Sequence, residues 1–195
     1  MFNSEDRPTG NGTVEGYDAR VPSAAHRIVA IQGGGSGDIQ RLMSLLAEHW
    51  RASGLRVTGV VEDVTPAVRK ARGGSLLRNL SSGACYPLYQ DLGPHSTACC
   101  LNPAGLAEAC QAVIDDMDQS DVVVLSKFGK LEAERSGLFD AFVHAGMLNK
   151  CVLTSASPTF SASYSSFVGT FGRLVPADAA YLTAWARRAS DVPRS

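Results

Sequence analysis

Apolar and polar positions follow two periods along the chain. Arg27-Ile28-Val29-Ala30-Ile31 is a short run rich in β-branched residues, which predicts a buried strand. Ile39, Leu42, Met43, Leu46 and Trp50 then recur at helical spacing, with Gly54 as the expected C-terminal stop. Leu55 to Val61 reads as a second strand, and Thr65 to Gly74 as a basic loop. Ser75 to Tyr89 reads as a hairpin, with LLRNL and CYPLY flanking a Ser-Ser-Gly turn. Asn102-Pro103 has the form of a helix start, and Leu106, Cys110, Val113, Ile114 and Met117 share the face that follows. Asp121 to Leu125 is the strongest strand signal. Beyond it the pattern predicts a helix near Gly137 to Ala145, a strand at Cys151 to Thr154 and a helix near Phe160 to Val168. A short strand at Arg173 to Val175 and an amphipathic helix from Asp178 to Arg188 complete the order.

Strands alternating with helices indicate an α/β fold, a three-layer sandwich around a mainly parallel sheet. Residues 27–190 form the expected domain, with a polar, turn-rich mobile arm at 1–26 and a short tail at 191–195.

Composition narrows the function classes. A length of 195 residues suits one domain with a real core. The 18 basic and 19 acidic side chains leave a net charge of -1, which argues against a broad cationic face for nucleic acid. No stretch approaches the ~20 apolar residues that span a bilayer, and MFNSEDRPTG lacks a signal-peptide core, so a cytoplasmic protein without membrane insertion is expected. Five cysteines, an odd number without a C-x-x-C pair, fit reduced thiols better than a disulfide framework or a structural zinc site. His26, His49, His95 and His144 lack metal-ligand spacing, although His95 lies near Cys99 and Cys100. No G-x-S-x-G elbow occurs.

Two segments carry candidate chemistry. The first is the loop Gln32-Gly33-Gly34-Gly35-Ser36-Gly37-Asp38 between the first strand and helix. A glycine-rich turn at a helix N-terminus converges free N–H groups on an anion, and the helix dipole assists. A phosphate loop reads G-x-x-x-x-G-K-S/T, because its lysine reaches the phosphates and its hydroxyl holds magnesium. With Gly37 as the second motif glycine, Asp38 stands at the lysine position and Ile39 at the hydroxyl position. No complete G-x-G-x-x-G is present either.

The second segment runs from Ser126 to Gly137, at the carboxyl end of the most apolar strand, where open α/β sheets bind ligands. Within it, Lys127, Lys130 and Arg135 bracket Glu132 and Glu134. Its expected place is beside the glycine loop, on an adjacent strand end.

The stretches SGLRVTGVV at 53–61 and DVVVLSKFGKLEAE at 121–134, with weaker support from Leu101-Asn102-Pro103-Ala104, carry a resemblance. They are similar to a bacterial domain-of-unknown-function family usually encoded beside molybdate-transport genes and related to thermophile-type P-loop nucleoside-triphosphatases. The resemblance covers about Ile28 to Arg188 and implies a degenerate P-loop-like fold. In the triphosphatase relatives the strand matching Val122 to Leu125 ends in Asp-Glu, followed by a hydrophobic residue and Gly-Lys. The acids orient magnesium and activate water. Here Ser126 and Lys127 replace them, while Gly129, Lys130 and Glu132 remain.

The expected function is therefore binding of a small anion, a nucleotide phosphate or an oxyanion such as molybdate, with little or no hydrolysis. The molybdate link is what the resemblance implies. Gly33, Gly34, Gly35, Ser36 and Gly37 would supply donors. Lys127 and Lys130 would supply positive charge in place of the lost lysine, with Gly129 between them as a further ligand-binding residue. The alternative is a slow magnesium-dependent nucleoside-triphosphatase with Glu132 or Glu134 positioning water. A third reading is a ligand-free scaffold whose apolar faces and mobile arm serve a partner protein in molybdenum-enzyme maturation; the expected partners are a molybdenum-enzyme or transport protein and a second copy of the chain in a homo-oligomer.

Overall fold

The computed structural model describes residues 25–63, 65, 75–89 and 101–190. The expectations for most of the arm, the basic stretch at 66–74, the His95, Cys99 and Cys100 group and the tail at 191–195 lie outside the described residues.

The described elements follow the order read from the pattern. Strand β1 (Ile28–Ile31) leads to helix α1 (Ser36–Ala52), strand β2 (Val57–Asp63) and the hairpin β3 (Leu76–Asn79) and β4 (Cys85–Pro87). Helix α2 (Pro103–Met117), strand β5 (Val122–Leu125), the one-turn helix α3 (Lys130–Ala133) and helix α4 (Phe139–Met147) come next. Strand β6 (Cys151–Ser155), helix α5 (Ser161–Val168), strand β7 (Gly172–Val175) and helix α6 (Ala179–Ser190) end the domain.

Local chemistry explains the boundaries. The Asn102 side chain accepts from the Gly105 N–H at 3.0 Å and caps α2, whose first residue is Pro103. At the hairpin, Asn79 Oδ1 accepts from the N–H groups of Ser81 and Ser82 at 2.7 and 3.0 Å. That Asx turn closes the Ser-Ser-Gly connection.

The described strands form one seven-stranded sheet in the order β4-β3-β2-β5-β6-β1-β7. β2, β5, β6, β1 and β7 pair in parallel, and the antiparallel hairpin extends the β2 edge. Alternate residues of each central strand feed opposite cores. Val122 and Val124 join Met43, Trp50, Leu182 and Trp185 beneath α1 and α6. Val123 and Leu125 join Leu106, Val113, Phe142 and Tyr164 beneath α2, α4 and α5. The result is a three-layer α/β sandwich with a mainly parallel sheet.

Candidate functional site

The carboxyl edge of the parallel strands carries both candidate segments. At the end of β1, the Gln32 N–H donates to Val175 O at 2.8 Å, and the Gln32 side-chain amide donates to Ser161 Oγ. The loop is thereby tied to β7 and to the start of α5. Gly33 and Gly34 then take φ values of +90° and +98°, a left-handed path that a side chain would strain. Helix α1 opens after Gly35 without a side-chain cap, and the N–H groups of Gly33 to Gly37 find no acceptor among the described residues. Gly33 to Ser36 are exposed. An open array of donors at a helix N-terminus suits an anion. Asp38 tempers it: a Cβ placed on Gly35 would lie 3.1 Å from Asp38 Oδ2, so this carboxylate stands against the loop. Arg41 pairs with it at 3.4 Å, on the surface.

At the end of β5, Ser126 is buried and bonded on several sides. Gln40, 1% exposed on α1, donates from Nε2 to Ser126 O at 2.7 Å. Its Oε1 accepts from the Glu62 N–H at 2.9 Å and from Ser126 Oγ at 3.2 Å. Ser155 Oγ, at the end of β6, adds a second bond to Ser126 O at 2.9 Å. Gln40 thus ties α1, β2 and β5 together. Sequence reasoning passed over it. Its signal was an amide at the phase of a buried helical stripe, three residues before Met43.

In a hydrolytic phosphate loop, a hydroxyl from this helix turn and an acid from this strand end hold magnesium between them. Here the amide and hydroxyl bond to each other instead. Magnesium requires near-octahedral oxygen ligands including carboxylates, and this neutral, self-satisfied pair does not fit it. Among the described residues no group of three or more His, Cys, Asp or Glu side chains could hold a metal.

The lysine segment is anchored by Phe128. Its N–H donates to Ser155 O at 2.7 Å, and its ring packs against Phe142, Tyr164 and Phe167 at centroid distances of 5.7, 5.5 and 5.6 Å. Lys127 and Lys130 flank this buried ring and are exposed. Lys130 lies 3.9 Å from Glu134, an exposed i,i+4 pair. Glu132 is buried, and each of its carboxylate oxygens is engaged. Oε2 accepts from the Gly129 N–H at 2.9 Å and Oε1 from the Leu138 N–H at 3.0 Å. The segment contains the short helix α3, which these bonds fix.

The expected neighbourhood of the two segments is corrected by the strand order. β6 lies between β1 and β5, so the loops start two interstrand spacings apart, about 10 Å. They also serve different faces. The glycine loop runs into α1, over one core, whereas Lys127 and Lys130 border a cavity with Leu77, Leu106 and Leu138, over the other. That cavity includes none of Gly33 to Gly37.

Tyr164 and Cys110 are buried in the core. The Tyr164 hydroxyl donates to Ile28 O at 2.8 Å, and burial pushes its pKa up. Burial likewise raises the Cys110 thiol. His49 and His144 lie on helices α1 and α4.

Comparison with known proteins accords with this architecture. A family profile described as protein of unknown function (DUF2478) matches residues 28–185. The chain belongs to that family. The match begins with β1 and ends within α6. The chain is also 30% identical over 166 residues to the molybdenum import ATP-binding protein ModC 2 of Bradyrhizobium diazoefficiens. That similarity covers 85% of this chain but 18% of the relative's length. The mainly parallel sheet flanked by helices and the strand–glycine loop–helix unit are consistent with a P-loop nucleoside-triphosphatase-like fold. No solved structure matches the chain. No described helix is long and apolar enough to cross a membrane.

Proposed function

We propose that this DUF2478 domain binds a small anion at the Gly33–Gly37 loop without efficient hydrolysis, as an accessory to molybdenum metabolism. The anion is a nucleotide phosphate or a tetrahedral oxyanion of the molybdate type. The observation that carries this reading is an open row of N–H donors beside a neutral Gln40–Ser126 lock. The donors match an oxyanion, and the lock ties up Ser126, which stands at the strand end where hydrolytic relatives carry an acid, while apolar Ile39 takes the hydroxyl position. Similarity to a molybdenum import ATP-binding protein supports both ligand classes. Lys127, Gly129 and Lys130 belong to the same carboxyl edge. From beyond β6 the lysines act on the loop only through their longer-range field.

Titration calorimetry with ATP, GTP and molybdate tests the reading. Gly35 has φ -72°, so Gly35→Pro keeps the backbone angle while deleting one donor. Its affinity should fall by roughly tenfold or more, the weight of one charge-assisted hydrogen bond. Asp38→Asn, which removes a carboxylate beside the loop, should strengthen binding. Lys127→Ala/Lys130→Ala should weaken it only modestly, and only at low salt. Absence of binding in the wild type, or equal binding by the Gly35→Pro variant, would overturn the reading.

A further inference from the structure

The cavity beside Lys127 and Lys130 has a composition that a bare oxyanion does not use. Its volume is about 350 Å³, within the range of small-molecule sites. Leu77, Leu106 and Leu138 wall it, and all three are buried members of the α2–α4 core. Their positions are set by core packing, so these walls are formed before any ligand arrives. Leu88 and Tyr89, following β4, border it from the hairpin side.

The charges at its border are asymmetric. Lys127 takes part in no ion pair among the described residues. Its stem lies over Gly129, where an added Cβ would come 3.4 Å from Lys127 Cε. Among the described residues, Lys130 pairs with exposed Glu134 alone. Glu132 lines the cavity, but its oxygens are taken by the N–H groups of Gly129 and Leu138. Glu62 contributes the other carboxylate. A tetrahedral oxyanion would meet the lysines and leave the half-buried Leu88 and Leu131 at the cavity border without a contact. An apolar molecule would fill the walls and leave the lysines unused.

We propose that this cavity is a second binding site, for a small ring-bearing anion. An aromatic or heteroaromatic body packs against the leucines, and its phosphate or carboxylate meets Lys127 and Lys130. The site lies over the opposite core from the glycine loop's helix and stands independently of the function proposed for that loop.

The test uses 1-naphthyl phosphate as probe, with inorganic phosphate and 1-naphthol as its separated halves, on the full chain. The probe should bind about tenfold or more tighter than either half, because only it uses both walls and lysines. Lys127→Ala/Lys130→Ala should lose about tenfold in probe affinity, and Glu62→Gln should gain severalfold. Leu88→Trp, at a half-buried position, should block the cavity, with circular dichroism confirming that the variant is folded. Excess molybdate should leave bound probe in place. Three results would each overturn the proposal: no probe binding by the wild type, equal binding of inorganic phosphate, or unchanged affinity in the double lysine variant. Displacement by molybdate would likewise overturn it, because both anions would then share one site, whereas unchanged ATP, GTP and molybdate affinity in the Gly35→Pro variant would sink only the loop reading.

Discussion

Glu132 illustrates how a side chain's role depends on its immediate partners. In the linear order it is an acid among cations and fits the part of a catalytic base. In the fold its oxygens accept two N–H groups, one on each side of helix α3, and it is buried. Glu132→Gln would turn an amide N–H₂ toward one of those N–H donors. The unfolding free energy should fall by about 1–3 kcal/mol, the cost of leaving a buried donor without an acceptor, as read from urea denaturation. An unchanged midpoint would show that these bonds carry no stability. Gln40 is the converse case: unremarkable in sequence, yet it joins three elements at the edge where the chemistry was expected. Its burial phase was legible, but its partners lie 22 and 86 positions away.

At the scale of elements, nearly every described helix and strand follows from periodicity. The signals are strong because parallel central strands are buried on both faces and read as unbroken apolar runs. Helix α3 escaped because a single turn has no periodicity to display; long-range acceptors hold it. Pairing between β2 and β5 exposes a further constraint. Gly59 has φ +133°, and a Cβ there would lie 1.9 Å from Val124 O. Gly59→Ala must push apart two paired strands, so a loss above ~3 kcal/mol, or failure to accumulate folded protein, is expected. Gly146, in helix α4, has nothing within 4 Å of such a Cβ. Gly146→Ala should instead stabilise by about 0.5–1 kcal/mol. Urea midpoints of the pair check the contrast.

The whole molecule is two cores sharing one sheet. Trp50 and Trp185 lie 6.4 Å apart in the α1–α6 core, while the Phe128, Phe142 and Phe167 rings fill the other. Because successive residues of β5 and β6 enter opposite cores, neither can melt without the other. Tryptophan fluorescence and far-ultraviolet circular dichroism should therefore give coincident urea transitions, and separated midpoints would show that the faces unfold independently. The same alternation marks the boundary between what was legible and what was not. The sequence by itself determined the described elements other than α3, their order along the chain, the layered class and the absence of a complete phosphate-loop motif, since each depends on residues close together in the chain. Only the tertiary structure placed β6 between β1 and β5, parted the lysines from the glycine loop, locked Gln40 to Ser126 and assembled an open, leucine-lined cavity. Those arrangements arise from pairing between segments far apart in sequence, where many strand orders satisfy the same local pattern and only mutual packing selects among them.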